Sequence, residues 1–218
     1  MISFNSESAT DSEKMQGYDG WVKRYSEFLE DYKKDTSAAT CTHENGASQS
    51  QVCKFDLTSL GACGSEKYGY DSGSPCILLK LNKIYGLKLN PYDVNDLPED
   101  HGMSEDLVAH IKSEPDKNQV WVECYGENPA DREALKGKIK YFPASQGFPT
   151  YYFPYLNQDD YKSPLVAVQF NGVEKNRLLH IECRAFAKGI GYNRRDRIGI
   201  NHFELHVTDN TGVADIES

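Results

Sequence analysis

The chain of 218 residues has no apolar run approaching the ~20 residues of a membrane-spanning helix. Its opening, Met1-Ile2-Ser3-Phe4-Asn5-Ser6-Glu7, lacks the basic and apolar blocks of an export signal. No Asn-x-Ser/Thr acceptor occurs, which excludes ordinary N-linked glycosylation. Nor is there a Cys-x-x-Cys pair, so zinc ribbons and thioredoxin-type sites are excluded. Gly-x-Ser-x-Gly elbows, Walker loops and dinucleotide fingerprints are missing, and with them the strong enzyme signatures and any sign of a cofactor. Positive charge is in deficit. Lys+Arg 24 against Asp+Glu 33 gives a net charge of -9, which disfavours nonspecific binding to nucleic acid or anionic lipid.

What the chain does have is six cysteines, Cys41, Cys53, Cys63, Cys76, Cys124 and Cys183, dispersed through a polar sequence. An even count of this kind points to three disulfides and an oxidising compartment. The count alone allows fifteen pairings. The short, similar intervals of the first four make Cys41 with Cys53 and Cys63 with Cys76 the economical choice, leaving Cys124 and Cys183 to close a long loop. Each bridge contributes roughly 3 to 4 kcal/mol by the chain-entropy account. That matters because only 39% of the chain is hydrophobic, and 14 tyrosines supply much of the large apolar surface while carrying hydroxyls that need partners on burial. Disulfides without an export signal are reconciled if the chain is a lumenal or extracellular domain whose membrane anchor precedes residue 1.

Along the chain, residues 1–15 read as a poorly ordered linker, 16–208 as one elaborated domain and 209–218 as a flexible tail. Trp21, Val22, Tyr25, Phe28, Leu29 and Tyr32 form the apolar stripe of an amphipathic helix capped by Asp19, a stripe that calls for packing on its own domain. Residues 34–50 read as a surface loop held by Cys41. Cys76 to Leu81 reads as a buried strand closed by Asn82-Lys83-Ile84-Tyr85-Gly86. Ser104 caps a short helix with Leu107, Val108 and Ile111 inward, and Asn128-Pro129 opens another ending at Gly137. Strand signals dominate later, at 120–124, 138–142, 165–170, 178–187 and 202–207. In one of these Leu179, Ile181, Cys183 and Ala185 form the inner face, with His180, Glu182, Arg184 and Phe186 opposite. The predicted class is mainly β: an Ig-like β-sandwich with helical insertions and an N-terminal amphipathic helix, held by three disulfides.

Sites of chemistry are weak by residue type. His202 and His206 at i and i+4 would suit a metal on a helix, but the alternation of Phe203, Leu205 and Val207 makes this a strand whose outer face carries His202, Glu204 and His206. Cys41 with His43 and Glu44 is better explained by a disulfide. Asp159-Asp160 reads as a turn and Asp215 with Glu217 as a terminal tail. Asn193-Arg194-Arg195-Asp196-Arg197 reads as a basic turn between strands. The densest unusual string is Gly147-Phe148-Pro149-Thr150-Tyr151-Tyr152-Phe153-Pro154-Tyr155, followed by Leu165 to Phe170; tyrosines around prolines combine apolar area with hydroxyls, as interface cores do.

Here the chain resembles the extracellular domain of the β subunit of the sodium/potassium-transporting ATPase, particularly insect-type forms. The resemblance is carried by Val52-Cys53-Lys54-Phe55, Leu60-Gly61-Ala62-Cys63, Tyr68-Gly69-Tyr70, Pro75-Cys76 and the run from Ile77 to Gly86. It continues through Trp121-Val122-Glu123-Cys124, Gly126-Glu127-Asn128-Pro129-Ala130-Asp131, the Tyr/Pro string, Pro164 to Phe170, Ile181-Glu182-Cys183 and Gly191-Tyr192 with Asp196-Arg197. The family implies a type II plasma-membrane protein with one span before residue 1 and an Ig-like ectodomain. It also implies consecutive disulfide pairing, in agreement with the local clips. By the same resemblance the chain is not catalytic: the partner α subunit carries the ATP chemistry, while β supports its folding, delivery and potassium affinity. The assembly role falls on Tyr151, Tyr152, Phe153, Pro154 and Tyr155, and on Leu165, Val166, Ala167, Val168, Gln169 and Phe170. Gastric proton-pump β subunits share this architecture. The missing sequon departs from the family's usual glycosylation. Two other classes are an adhesion module, acting through homophilic contact at a sandwich edge or the Arg194–Arg197 turn, and a secreted hydrolase, for which no nucleophile and base pair stands out.

Overall fold

The computed structural model describes residues 1–9, 17–34 and 38–210. Its strands are β1 (Ile2–Asn5), β2 (Cys76–Leu79), β3 (Gln119–Gly126), β4 (Ile139–Phe142), β5 (Gly147–Pro149), β6 (Val166–Phe170), β7 (Arg177–Phe186) and β8 (Ile200–Thr208). The helices are α1 (Asp19–Lys33), α2 (Glu105–Ser113) and α3 (Pro129–Leu135). The strands form a five-stranded sheet in the order β1-β8-β7-β3-β5 and a three-stranded sheet in the order β2-β6-β4. Apart from the parallel β1–β8 pair, the ladders are antiparallel.

Alternation decides which residues enter the space between the sheets. Leu179, Ile181 and Cys183 of β7 share a buried cluster with Val120, Val122 and Cys124 of β3, with Leu205 and Val207 of β8, and with Val166, Ala167, Val168 and Phe170 of β6. Phe170 meets Phe203 edge to face, with centroids 5.9 Å apart, joining the small sheet to the large one. Across the same gap the Tyr141 hydroxyl accepts from the Cys124 N–H at 2.8 Å.

All three expected disulfides are present: Cys41–Cys53, Cys63–Cys76 and Cys124–Cys183. The third does not join the two sheets as an immunoglobulin bridge does. Cys124 and Cys183 are direct partners in the β3–β7 ladder, so it staples neighbouring strands of one sheet.

Helix α1 covers the core as its stripe requires: Tyr25, Leu29 and Tyr32 are buried, while Trp21, Val22 and Phe28 pack partly buried against the same cluster. Asp19 is not the cap. Tyr18 holds that position without a side-chain bond, and Asp19 lies in the first turn, where a carboxylate suits the positive end of the helix dipole. Ser104 and Asn128 cap α2 and α3 as expected, accepting from the N–H groups of Leu107 and Asp131.

Two other expectations change. Residues 2–5 are not linker but strand β1, with Phe4 in the core, because a polar segment can still complete a sheet edge when one apolar side chain is buried. At the far end, Asn210 accepts from the Asn5 side chain at 3.0 Å; residues 10–16 and 211–218, including Asp215 and Glu217, lie outside the described residues. The outer face of β7 is also covered in part. Phe186 and Trp121 pack beneath Met103, Leu107 and Ile111, and Glu182 is only 2% exposed.

Candidate interaction surface

The Tyr/Pro string begins as edge strand β5, pairs with β3, makes a 3-10 turn at Thr150–Tyr152 and then runs extended through the cis Phe153–Pro154 bond. Phe148 and Tyr152 point into the core. Tyr151, Phe153, Pro154 and Tyr155 remain part-exposed. The buried Tyr152 hydroxyl donates to the Lys54 carbonyl at 2.9 Å, and burial first, then the neighbouring Tyr151, pushes its pKa upward. Tyr151 lies 4.7 Å from the Tyr152 ring and meets His43 edge to face at 5.1 Å.

The loop closed by Cys41–Cys53 fastens this string at its middle and just past its end. The Ala47 N–H donates to the Tyr151 carbonyl at 2.8 Å, and the Gln158 amide donates to the Ser48 carbonyl at 2.9 Å. Gly46 permits the approach: a Cβ there would sit 2.9 Å from the Tyr151 carbonyl oxygen. His43 is also held, 2.9 Å from Asp116; burial would raise the Asp116 carboxyl, but hydrogen bonds from His43, the Asn118 N–H and Gln119 bring it below its ordinary value.

A second segment joins the aromatic ridge. Tyr85 makes a backbone bridge with Tyr155, and the Gly86 N–H donates to the Tyr155 carbonyl at 2.8 Å. Ile84 and Tyr85 are 55% and 65% exposed, an apolar pair projecting beside Tyr155. Lys83 lies 5.6 Å from the Tyr155 ring and 5.5 Å from the Tyr161 ring, and donates to the Tyr161 carbonyl at 3.0 Å. Burial, then repulsion from Lys162 and Lys80, lowers its ionisation. By sequence pattern 82–86 only closes a strand; the signal for a surface ridge is an Ile-Tyr pair next to a turn glycine.

The other half of the expected assembly segment is placed differently. Leu165, Val166, Ala167, Val168 and Phe170 are completely buried, because β6 is the central strand of the small sheet. Only Gln169 is part-exposed, and its amide donates to the Ser74 carbonyl at 3.3 Å. As folded, β6 offers no apolar side chain to a partner. Of the two expected segments, only Tyr151–Tyr155 therefore has apolar side chains that reach solvent.

The other candidates resolve simply. Cys41 is in a disulfide, and Asp159-Asp160 lies in a turn with Asp160 at φ 58°. Residues 194–197 form a turn closed by the Asn193–Ile198 bridge. His206 sits on the outer face of β8 with Nδ1 3.2 Å from the Ser3 hydroxyl, away from His202. Among the described residues no helix is long and apolar enough to cross a membrane.

The family described as the sodium/potassium ATPase beta chain matches residues 2–203. Among curated proteins the sequence is 39% identical to the sodium/potassium-transporting ATPase subunit beta-2 of Drosophila melanogaster, over 87% of this chain and 62% of the relative. It is 40% identical to subunit beta-1 of the same organism, over 90% of this chain and 64% of that protein. Human subunit beta-2 is 29% identical over 88% of this chain and 64% of its own length. The chain thus spans less than two thirds of the length of these relatives.

Proposed function

Because this chain belongs to the sodium/potassium ATPase beta chain family, we propose that it is the extracellular, non-catalytic part of a pump β subunit that docks on the α subunit. The docking surface is the aromatic ridge of Tyr151, Phe153, Pro154 and Tyr155, extended by Ile84 and Tyr85. The observation that carries this reading is the exposed Ile84–Tyr85 pair bridged to Tyr155. Large apolar side chains left in water on a backbone fixed by hydrogen bonds between separate segments, one of them a disulfide-closed loop, have the composition and preorganisation of an interface. Supporting the folding and delivery of α follows from covering surface that α would otherwise expose. An effect on potassium affinity requires unequal contact with two α conformations, since equal contact shifts neither.

The test is co-expression of this sequence, carried behind a membrane anchor, with a pump α subunit, followed by co-purification and measurement of α at the cell surface. Tyr85→Ala with Tyr155→Ala is expected to reduce co-purification while leaving secretion of the soluble domain unchanged. Undiminished co-purification would reject this ridge as the docking surface. A second reading, homophilic adhesion, draws on Tyr192 and Ile198, which are exposed on either side of the Arg194–Arg197 turn. It requires concentration-dependent self-association in sedimentation, weakened by Ile198→Asp.

A further inference from the structure

The outer face of the large sheet gathers three side chains of metal-ligating type from separate parts of the chain. The β7–β8 register sets His180 opposite Glu204 and Glu182 opposite His202, so the two histidines are diagonal neighbours. Their rings lie 6.3 Å apart and 21° from parallel. Glu127 follows the end of β3; its N–H donates to the His180 carbonyl at 2.8 Å, and its Oε2 lies 3.0 Å from His202 Nδ1. Ligand atoms of Glu127, His180 and His202 all fall within 4.8 Å of one another.

We propose that Glu127, His180 and His202 form a binding site for one divalent transition-metal ion of the zinc class. Two imidazoles and one carboxylate are a three-ligand set that zinc accepts, with water in the fourth position. The same set disfavours calcium and magnesium, which take oxygen ligands. In a tetrahedral site donors about 2.1 Å from the ion lie roughly 3.4 Å from each other. The Glu127–His202 pair is already near that spacing, and side-chain rotation of His180 closes the rest.

Surrounding groups hold the ligands in a way that suits this role. Arg194 engages Oε1 of Glu127, leaving Oε2 toward His202, and its Nε lies 3.2 Å from Oε2 of buried Glu182. Glu182 in turn accepts from the Tyr125 hydroxyl at 2.5 Å. His180 Nδ1 lies 3.8 Å from Glu204 Oε1, a nearby carboxylate that is beyond hydrogen-bond distance. Gly126 brings α3 close enough to fix the strand end, because a Cβ there would come 2.2 Å from the Asp131 backbone. The Asp131 carboxylate then accepts from the His180 N–H at 3.1 Å. The three ligands are part-exposed, so an ion can enter from solvent.

The experiment is calorimetric titration of untagged protein with zinc chloride, alongside cobalt(II) absorption as a report of ligand geometry. Expected is one ion per chain, with affinity reduced about tenfold or more in each of His180→Ala, His202→Ala and Glu127→Gln. His43→Ala and His206→Ala should bind as the parent does, and excess magnesium should not compete. Circular dichroism melts identify any variant that does not fold, and Glu127→Gln, which preserves shape, then carries the test. Absence of saturable zinc binding by the parent up to about 0.1 mM, or binding that persists in the folded His180→Ala/His202→Ala double variant, overturns the site.

Discussion

Tyr25 stacks on Tyr68 with ring centroids 3.9 Å apart while its hydroxyl donates to the Cys63 carbonyl at 3.0 Å. One side chain thereby ties α1 to the segment held by the second disulfide. The same solution recurs at Tyr32, whose buried hydroxyl donates to the Ser163 carbonyl at 2.9 Å. Tyr18, Tyr25, Tyr32, Tyr68, Tyr70, Tyr152 and Tyr161 are among the buried residues, and burying such a ring costs least where its hydroxyl finds an acceptor, which backbone carbonyls supply at Tyr25, Tyr32 and Tyr152.

Tyr25→Phe keeps the stack but strands the Cys63 carbonyl. The expected loss is about 1–2 kcal/mol in urea unfolding, against about 3–5 kcal/mol for Tyr25→Ala, which also leaves a cavity. Equal losses for the two substitutions would mean that the hydroxyl, rather than the ring, dominates.

Alkaline pH should expose the same dependence. Burial is the leading cause of the raised pKa at Tyr25, Tyr32, Tyr70 and Tyr152, and it pushes Tyr161 up to about 12 from an ordinary value of 10.0. In the unfolded chain these phenols lose protons near pH 10, so above that pH the folded state binds more protons than the unfolded state. The tyrosine contribution is therefore fully present below about pH 10 and is lost as pH rises toward and through the folded values. Absorbance at 295 nm followed with circular dichroism should show Tyr25, Tyr32, Tyr70, Tyr152 and Tyr161 titrating only together with unfolding. Titration of all tyrosines near pH 10 with the fold intact would contradict this assignment.

The bridges should differ in weight. Cys124–Cys183 spans a sequence separation of 59 and Cys63–Cys76 one of 13. Loop-closure entropy then makes removal of the former costlier by about 1 kcal/mol. Paired Cys→Ala variants compared by denaturant midpoint check this ordering; the reverse order would show that the β3–β7 ladder already holds those strands together when the chain is unfolded.

Much of this architecture was legible because period and punctuation agreed. Alternation at Leu179, Ile181 and Cys183 gave the inward face of β7, and Ser104 and Asn128 marked helix starts through the hydrogen bonds they do make. Three features were not local properties. β1 needed its long-range partner β8 to be recognised, and the burial of Glu182 depends on Tyr125 and Arg194 from distant segments. Likewise, alternation alone could place His180 and His202 outward, but only the register and the path after β3 bring Glu127 beside them. The aromatic ridge was half visible, since a Tyr/Pro string announces an unusual surface but does not reveal which rings turn inward.

That division gives the most direct test of the assembly segment. Val168 is fully buried between β2 and β4, opposite Ile77 and Tyr141, whereas Tyr85 stands in solvent beside Tyr155. Val168→Ala should lower the stability of the isolated domain by about 1–3 kcal/mol through lost packing, reducing α association only as far as less folded protein is delivered. Tyr85→Ala should change stability by less than about 0.5 kcal/mol yet weaken association per folded molecule. Thermal melts of the soluble domain, set against α co-purification normalised to folded β, separate the two. If Val168→Ala weakens normalised association while Tyr85→Ala does not, β6 rather than the ridge makes the contact, and docking would have to open the small sheet.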